Sequence, residues 1–435
     1  MEYGNMARRW TSGENRRKWM NVKILLSALV LVVAAAGPAR AEAINVLVEG
    51  GGEQEQKPIA EKFTAETGIT VNFVTVPYAG VYDKLSAEIA SGKSDYDVAT
   101  IDVIWMAKFA DFAEPIDDLF TDTIKKDLAP ALLADAQIGG KFIGMPTWAN
   151  SEILFYRKDL FSDPKQQAAF KAKYGYDLAP PTNWQQFRDA ANFFTQENNG
   201  TKLYGTNVVG ANPEEWMATV LQAGSPGVVL DDGGHVIIDN AQHLKALQFY
   251  TDTYCKDHAT PPGAAQVDWS AAQNLFYQGQ TAMMRFWAHA YRMTPADSKV
   301  AGKVGVVPMI GGDAGPAGIP GPWYNIIPKA SARKDAAKKF VAYAIAHNDL
   351  SLQSPLGLAA RNSAYEEYAG KPGYEAFDPL LKTLAAPATK GRPMVTKWQE
   401  IVDQAVTPML QQALDCKSDL PSLLKKAKAT IEDMM

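Results

Sequence analysis

An alternation of strand and helix over residues 43–105 constrains the fold of this chain more than any other feature. Ala43 to Val48 is a short apolar run ending at Glu49-Gly50-Gly51-Gly52. A helix should follow, with Pro58 near its first turn, Ile59, Ala60 and Phe63 on one face, and Gly68 as its stop. Val71 to Val76 is β-branched and strand-like. Val81, Leu85 and Ile89, spaced four apart, mark a second helix ending at Gly92. Asp97 to Ile101 is a third strand, opening onto Asp102, Val103, Ile104 and Trp105. This β-α-β-α-β order implies an α/β fold whose parallel or mixed sheet carries helices on its faces. Ligands of such sheets sit at the carboxyl ends of the strands. Here those ends are Gly50–Glu53, Pro77–Tyr82 and Asp102–Trp105.

The pattern changes at Gly139–Phe161. Phe142 and Ile143 run into Pro146, and a second run, Ile153 to Tyr156, reads as a strand. Between the runs sit Trp148, Asn150 and Glu152, so we read the stretch as a first crossing between two lobes, with ligand groups at the crossing. Beyond it the chain turns to amphipathic helices and loops. Asn183 can cap a helix carrying Trp184, Phe187, Ala191 and Phe194, and a polar loop follows through Asn198-Asn199-Gly200. Further helices are expected over Pro213–Ala223, Asn240–Tyr250 and Ala271–Gln278. Thr281 to Trp287 is a buried strand and Val304 to Pro308 another. Gly311 to Pro322, rich in Gly and Pro, is a loop, and Tyr324 to Ile327 is a strand returning to the first lobe. Lys334 to Ala346 is helical. Val395 to Ile431 is mostly helical, interrupted near Pro408 and Pro421.

The first 41 residues read as a targeting segment. Arg8, Arg9, Arg16, Arg17, Lys18 and Lys23 form a basic region ahead of the apolar run Ile24–Ala36, and Ala39-Arg40-Ala41 has the form of a cleavage site. The apolar run is shorter than the ~20 residues of a membrane-spanning helix. A secretory signal peptide cut before Glu42 is therefore expected, with Met6 or Met20 as alternative starts. Arg16-Arg17-Lys18 faintly resembles a twin-arginine signal, but the general secretory route fits better. Two cysteines, Cys255 and Cys416, remain in the mature chain. An oxidising compartment allows one disulfide between them, and two buried thiols are equally compatible with the sequence. A hydrophobic content of 47% fits a globular chain, and a net charge of −5 gives no reason to expect nucleic acid as partner.

Six pieces in order resemble the extracellular solute-binding proteins of carbohydrate ABC importers, the family that includes maltose-binding protein. They are Phe63 with Thr67-Gly68-Ile69-Thr70-Val71, and Asp95-Tyr96-Asp97-Val98 leading to Asp102. Next come Gly144-Met145-Pro146 with Leu154 to Phe161, and Pro181-Thr182-Asn183-Trp184-Gln185-Gln186-Phe187. Gly279-Gln280-Thr281-Ala282-Met283, and Gly357 with Arg361-Asn362-Ser363-Ala364-Tyr365, complete the set. The resemblance covers nearly the whole mature chain; Gly311–Pro322 departs from it. It implies a two-lobe periplasmic binding protein fold with mixed sheets, hinge crossings and a central ligand cleft. The lobes would be 42–148 with 325–357, and 149–324 with 358–435. It further implies a periplasmic monomer that needs no cofactor, binds a small carbohydrate and delivers it to membrane permease subunits.

A sugar site needs paired donors and acceptors for hydroxyls and flat aromatic faces for C–H surfaces. Trp148 and Asn150 at the crossing are the first candidates. Trp287 follows a buried strand, and Trp323 and Tyr324 lie at the second crossing. Trp105 and Tyr78 follow strand ends, and Trp216 opens a helix. Asp102 could accept from two hydroxyls or cap the next helix. Arg361 matches a family position near the cleft, and Glu53 follows the glycines. Trp184, Trp269 and Trp398 are read as packing.

Other chemistries find less support. Gly50-Gly51-Gly52-Glu53 is neither G-x-G-x-x-G nor a P-loop. The five histidines are scattered, which gives no metal motif. An exported glycosidase would need two carboxylates across a bond, and nothing pairs Glu53, Asp102 and Glu152. The remaining alternative is a binding protein for a polyol, a glycerol phosphate, a sulfonated sugar or an opine. An anionic ligand would call on Arg285, Arg292 or Arg361.

Overall fold

The computed structural model describes residues 42–435 apart from 199, 200 and 369; the expected signal peptide and its cleavage site lie outside the described residues. Eight strands build two sheets. They are β1 (Ala43–Glu49), β2 (Thr70–Val76), β3 (Val98–Asp102), β4 (Gly144–Trp148), β5 (Glu152–Arg157), β6 (Met283–Trp287), β7 (Val304–Val307) and β8 (Trp323–Ile326). The first sheet runs β2-β1-β3-β8-β4 and the second β6-β5-β7. Strands β1, β2 and β3 are parallel, as their helical connections require, and β8 is antiparallel to both β3 and β4. The second sheet is antiparallel throughout. Only Ala149, Asn150 and Ser151 separate β4 in one sheet from β5 in the other.

Helix α1 (Gly52–Thr67) ends at Gly68 and α2 (Tyr78–Ser91) at Gly92, both in the left-handed region at φ 75° and 65°. These are the stops the sequence predicts, because glycine enters that region without a Cβ penalty. Pro58 lies inside α1, not near its first turn. The helix starts earlier, at Gly52, and in its first turn Glu53 accepts from Gly51 N at the positive end of the helix dipole, while burial raises Glu55 well above the ordinary carboxylate range.

Three other expectations are corrected. Lys141–Phe142 pairs with Gln137–Ile138 in a small hairpin, and the strand proper begins at Gly144. Pro146 is tolerated there because β4 is an edge strand with no further ladder to feed. The polar loop after residue 195 contains a hairpin, Gln196–Asn198 against Thr201–Leu203. The Gly/Pro-rich loop also contains one, Gly311–Gly312 against Gly315–Pro316, turned by Gly315 at φ 87°.

On the second sheet's side, helix α3 (Glu214–Gln222) packs on α4 (Ala241–Cys255). Helix α5 (Lys334–Ala346) packs against α1, and Phe340 lies edge-on to Phe63 at 5.4 Å. The C-terminal run is Trp398–Ile401, a π-helical turn Val402–Val406, α6 (Thr407–Ala413) and α7 (Leu420–Met434). The π turn directly precedes Pro408, which lacks the N–H an α-helical ladder would use, so the helix shifts register instead of breaking. A disulfide joins Cys255 at the end of α4 to Cys416 between α6 and α7, which decides between the two states the sequence allowed.

Candidate functional site

Asp102 ends β3, at the carboxyl edge of the first sheet. It is 5% exposed, and its carboxylate has three partners. Oδ1 accepts from the backbone N–H of Ile104 at 3.2 Å, capping the turn Val103–Trp105. Oδ2 accepts from the Tyr78 hydroxyl at 3.0 Å. Arg392 Nη2 donates to Oδ1 at 3.0 Å. Capping and recognition are therefore not exclusive here: one oxygen closes the local turn while the group as a whole faces groups from distant elements.

Four aromatic rings pack into one cluster, tied to this carboxylate through Tyr78. Trp323 stands opposite Asp102 in the β8–β3 register. A register shift between Trp323 and Tyr324 sets Trp323 against Trp148 of β4, and the two indoles stack at 5.6 Å and 26°. Tyr78 lies 4.7 Å from Trp105 and 5.9 Å from Trp323, and Trp105 is edge-on to Trp323 at 6.0 Å. Gly52 makes room for Trp148, since a Cβ there would stand 3.1 Å from its ring. Of the triple glycine, Gly52 alone serves this close packing, against Val48 and the indole.

The opposing groups come from the second sheet's side. Glu214 begins α3, and Arg392 Nη1 lies 3.5 Å from its Oε1. The segment bearing Arg392 is anchored there: Thr389 Oγ1 accepts from Gly318 N at 3.1 Å, and Lys390 Nζ donates to the Pro226 carbonyl at 2.7 Å. Gln399 accepts from the Trp105 indole at 3.4 Å. Glu152 opens β5, fully buried, and its Oε2 accepts from Ile319 N at 3.0 Å.

Burial dominates the electrostatics. It pushes Glu152 up to about 8, with the Ile319 hydrogen bond opposing. It pushes Glu49, at the end of β1, up to about 8, with Asp102 adding to the rise. Glu214 is raised by burial against the pull of Arg392. Burial also works against the charge of Arg392, but Asp102 and then Glu214 outweigh it and hold the guanidinium protonated.

The structure brings Asp102, Trp105, Trp148, Trp323 and Tyr78 together. Asn150 sits at the crossing, its amide nitrogen 2.9 Å from His289 Nδ1 and its carbonyl accepting from Gly321 N. Trp287, across the β6–β5 ladder from Glu152, covers Gly321, whose Cβ would stand 2.7 Å from the indole. Trp269, expected only to pack, lies 5.8 Å from Trp287 and helps hold Glu214 down.

Four candidates stand elsewhere. Tyr324 is fully buried on the other face of β8 and donates to the Leu132 carbonyl at 3.1 Å, because successive strand residues point to opposite faces. Trp216 is buried beside His243 at 5.8 Å. Arg361 is tied to Asp127 at 2.6 Å. Glu53 accepts from Gly51 N at 2.7 Å, within its own turn. Nor do the other arginines reach the cluster: Arg285 pairs with buried Glu215, and Arg292 donates to the Ser354 carbonyl at 3.0 Å.

Residues 48–347 match the family of bacterial extracellular solute-binding proteins. The chain belongs to that family. It is 27% identical over 342 residues to a probable ABC transporter-binding protein of Deinococcus radiodurans, covering 74% of this chain and 77% of that one. It is also 27% identical over 342 residues to the mannitol-binding protein of Pseudomonas aeruginosa, covering 74% and 73%. The structure superposes on maltose-bound T. maritima MalE3 with a TM-score of 0.76 at 25% identity, covering 91% of this chain and all of that one. The fold of this solute-binding protein is therefore the two-lobe periplasmic binding protein fold. Among the described residues no helix is long and apolar enough to cross a membrane, and no group of three or more His, Cys, Asp and Glu is placed to hold a metal ion.

Proposed function

We propose that this protein is the periplasmic component of an ABC importer that captures a sugar between its two lobes and hands it to the membrane permease. The observation that carries this reading is the aromatic cluster of Tyr78, Trp105, Trp148 and Trp323 tied to Asp102 through Tyr78, faced by Arg392 and Glu214 from the other side. Rings of this kind cover the C–H faces of a sugar, while the carboxylates and the guanidinium pair with its hydroxyls. The mannitol and maltose named for two similar proteins point to the same ligand chemistry.

For the lobes we propose the sequence-derived bounds, 42–148 with 325–357 and 149–324 with 358–435, with two adjustments. All of Trp323–Ile326 goes to the first lobe, since it is a strand of the first sheet. So does the segment from 358 to the helix Asn362–Tyr368, which Arg361 and Ser363 tie to Asp127. The protein acts as a monomer without catalysis, cofactor or nucleic-acid partner, after export through the signal peptide. A thermal-shift screen of residues 42–435 tests the reading. A true ligand at 100 times its Kd adds about 2.7 kcal/mol, and Asp102→Asn should reduce that shift. If neither sugars nor polyols move the melting point, the reading fails.

A further inference from the structure

We propose that Arg392 sets the charge class of the ligand: its guanidinium is committed to Asp102 and Glu214, so the cleft takes an uncharged polyhydroxyl solute and discriminates against the matching sugar acid or phosphate. The inference rests on the sugar-binding reading above and narrows it. Arg392 is 3% exposed in its side chain and lies 3.0 Å from Asp102 and 3.5 Å from Glu214. Among the described residues no other lysine or arginine forms an ion pair with either carboxylate. Arg285, Arg292 and Arg361, which an anionic ligand would have to recruit, are spent on Glu215, Ser354 and Asp127.

Against this one cation stand several acids. Asp102 and Glu214 pair with it directly, while burial raises Glu152 and Glu49 to about 8, so those two add hydrogen-bonding groups more than charge at neutral pH. Several buried polar atoms here have no hydrogen-bond partner: Glu152 Oε1, Glu214 Oε2, Ser151 Oγ and Arg392 Nε, a mixture of acceptors and donors. A hydroxyl both donates and accepts, so a polyol suits such a mixed set of groups. A carboxylate or phosphate only accepts, and it would add like charge beside Asp102 and Glu214. To gain a cation it would have to draw Arg392 away from Asp102, and so break the contact between the two sides.

Calorimetric titration of residues 42–435 with matched pairs tests this: glucose with glucuronate, maltose with maltobionate, mannitol with mannitol 1-phosphate. The neutral member of a binding pair should bind about a hundred-fold or more tightly than its acid, because juxtaposed like charges in a desolvated contact are strongly unfavourable. Glu214→Gln, which keeps shape but frees part of the guanidinium charge, should narrow that gap by about ten-fold. Asp102→Asn serves as a second variant if the first fails to fold. An acid that binds as tightly as its neutral partner overturns the inference and leaves the sugar reading standing. So does a gap that neither variant changes. If no member of any pair binds, the sugar reading falls and this inference with it.

Discussion

At the scale of single residues, the site is an exercise in what a strand end can hold. Asp102 can cap its own turn and still meet Tyr78 and Arg392 because a carboxylate offers about four lone-pair directions. Tyr78→Phe removes one of those contacts. It should weaken sugar binding by about 1 kcal/mol, or some five-fold in Kd, measured by calorimetry; an unchanged Kd would remove Tyr78 from the site. The buried acids make a second prediction. Glu152 and Glu49 are raised from an ordinary 4.5 to about 8, so the folded protein holds their protons more tightly than the unfolded chain does. Their stabilising effect is fully present below about 4.5 and is lost as pH rises through about 8. Urea midpoints should therefore fall between pH 5 and pH 9, and Glu152→Gln should flatten the slope. Much of the cluster is legible from residue type at strand ends: Asp102 ends β3, Trp105 and Tyr78 follow β3 and β2, and Trp148 ends β4. Arg392 is not, because it lies between Gly391 and Pro393 with no periodic pattern, and its partner Asp102 is 290 residues away. Glu214 lies in an acidic first turn of the kind helices favour for their dipole alone, so its residue type carries no ligand signal. Tyr324 adjoins Trp323 in sequence, but adjacent strand residues point to opposite faces, and it does not reach the cluster.

Between residue and molecule, the elements explain which expectations survived. Periodicity placed β1, α1, β2, α2 and β3, and glycine stops ended both helices. Pairing over a few residues leaves little periodic signal, so the short hairpins at Gln137–Phe142 and Gln196–Leu203 were read as loop or as part of a longer strand. The C-terminal helices depend on contacts that sequence spacing cannot reveal. Cys255 and Cys416 are 161 residues apart, and their bond fastens α6 and α7 to α4. A cross-link over so long a loop restricts the unfolded chain strongly in the loop-entropy account. Replacing both cysteines with serine should lower unfolding stability by about 2–5 kcal/mol. An unchanged denaturation midpoint would show that packing alone holds these helices.

For the whole molecule, the two sheets matter less than the short passages between them. The chain leaves the first sheet at Trp148 and enters the second at Glu152, so in the proposed account the candidate ligand groups lie beside a crossing about which the lobes would rotate. A solute that touches Asp102 on one side and Arg392 and Glu214 on the other favours the closed arrangement by its differential affinity. The central claim is this coupling of capture to closure. Small-angle scattering of residues 42–435, with and without a sugar that gives a thermal shift, tests it most directly. The account predicts a smaller radius of gyration at saturation; an unchanged radius, with binding confirmed in the same sample, would contradict it.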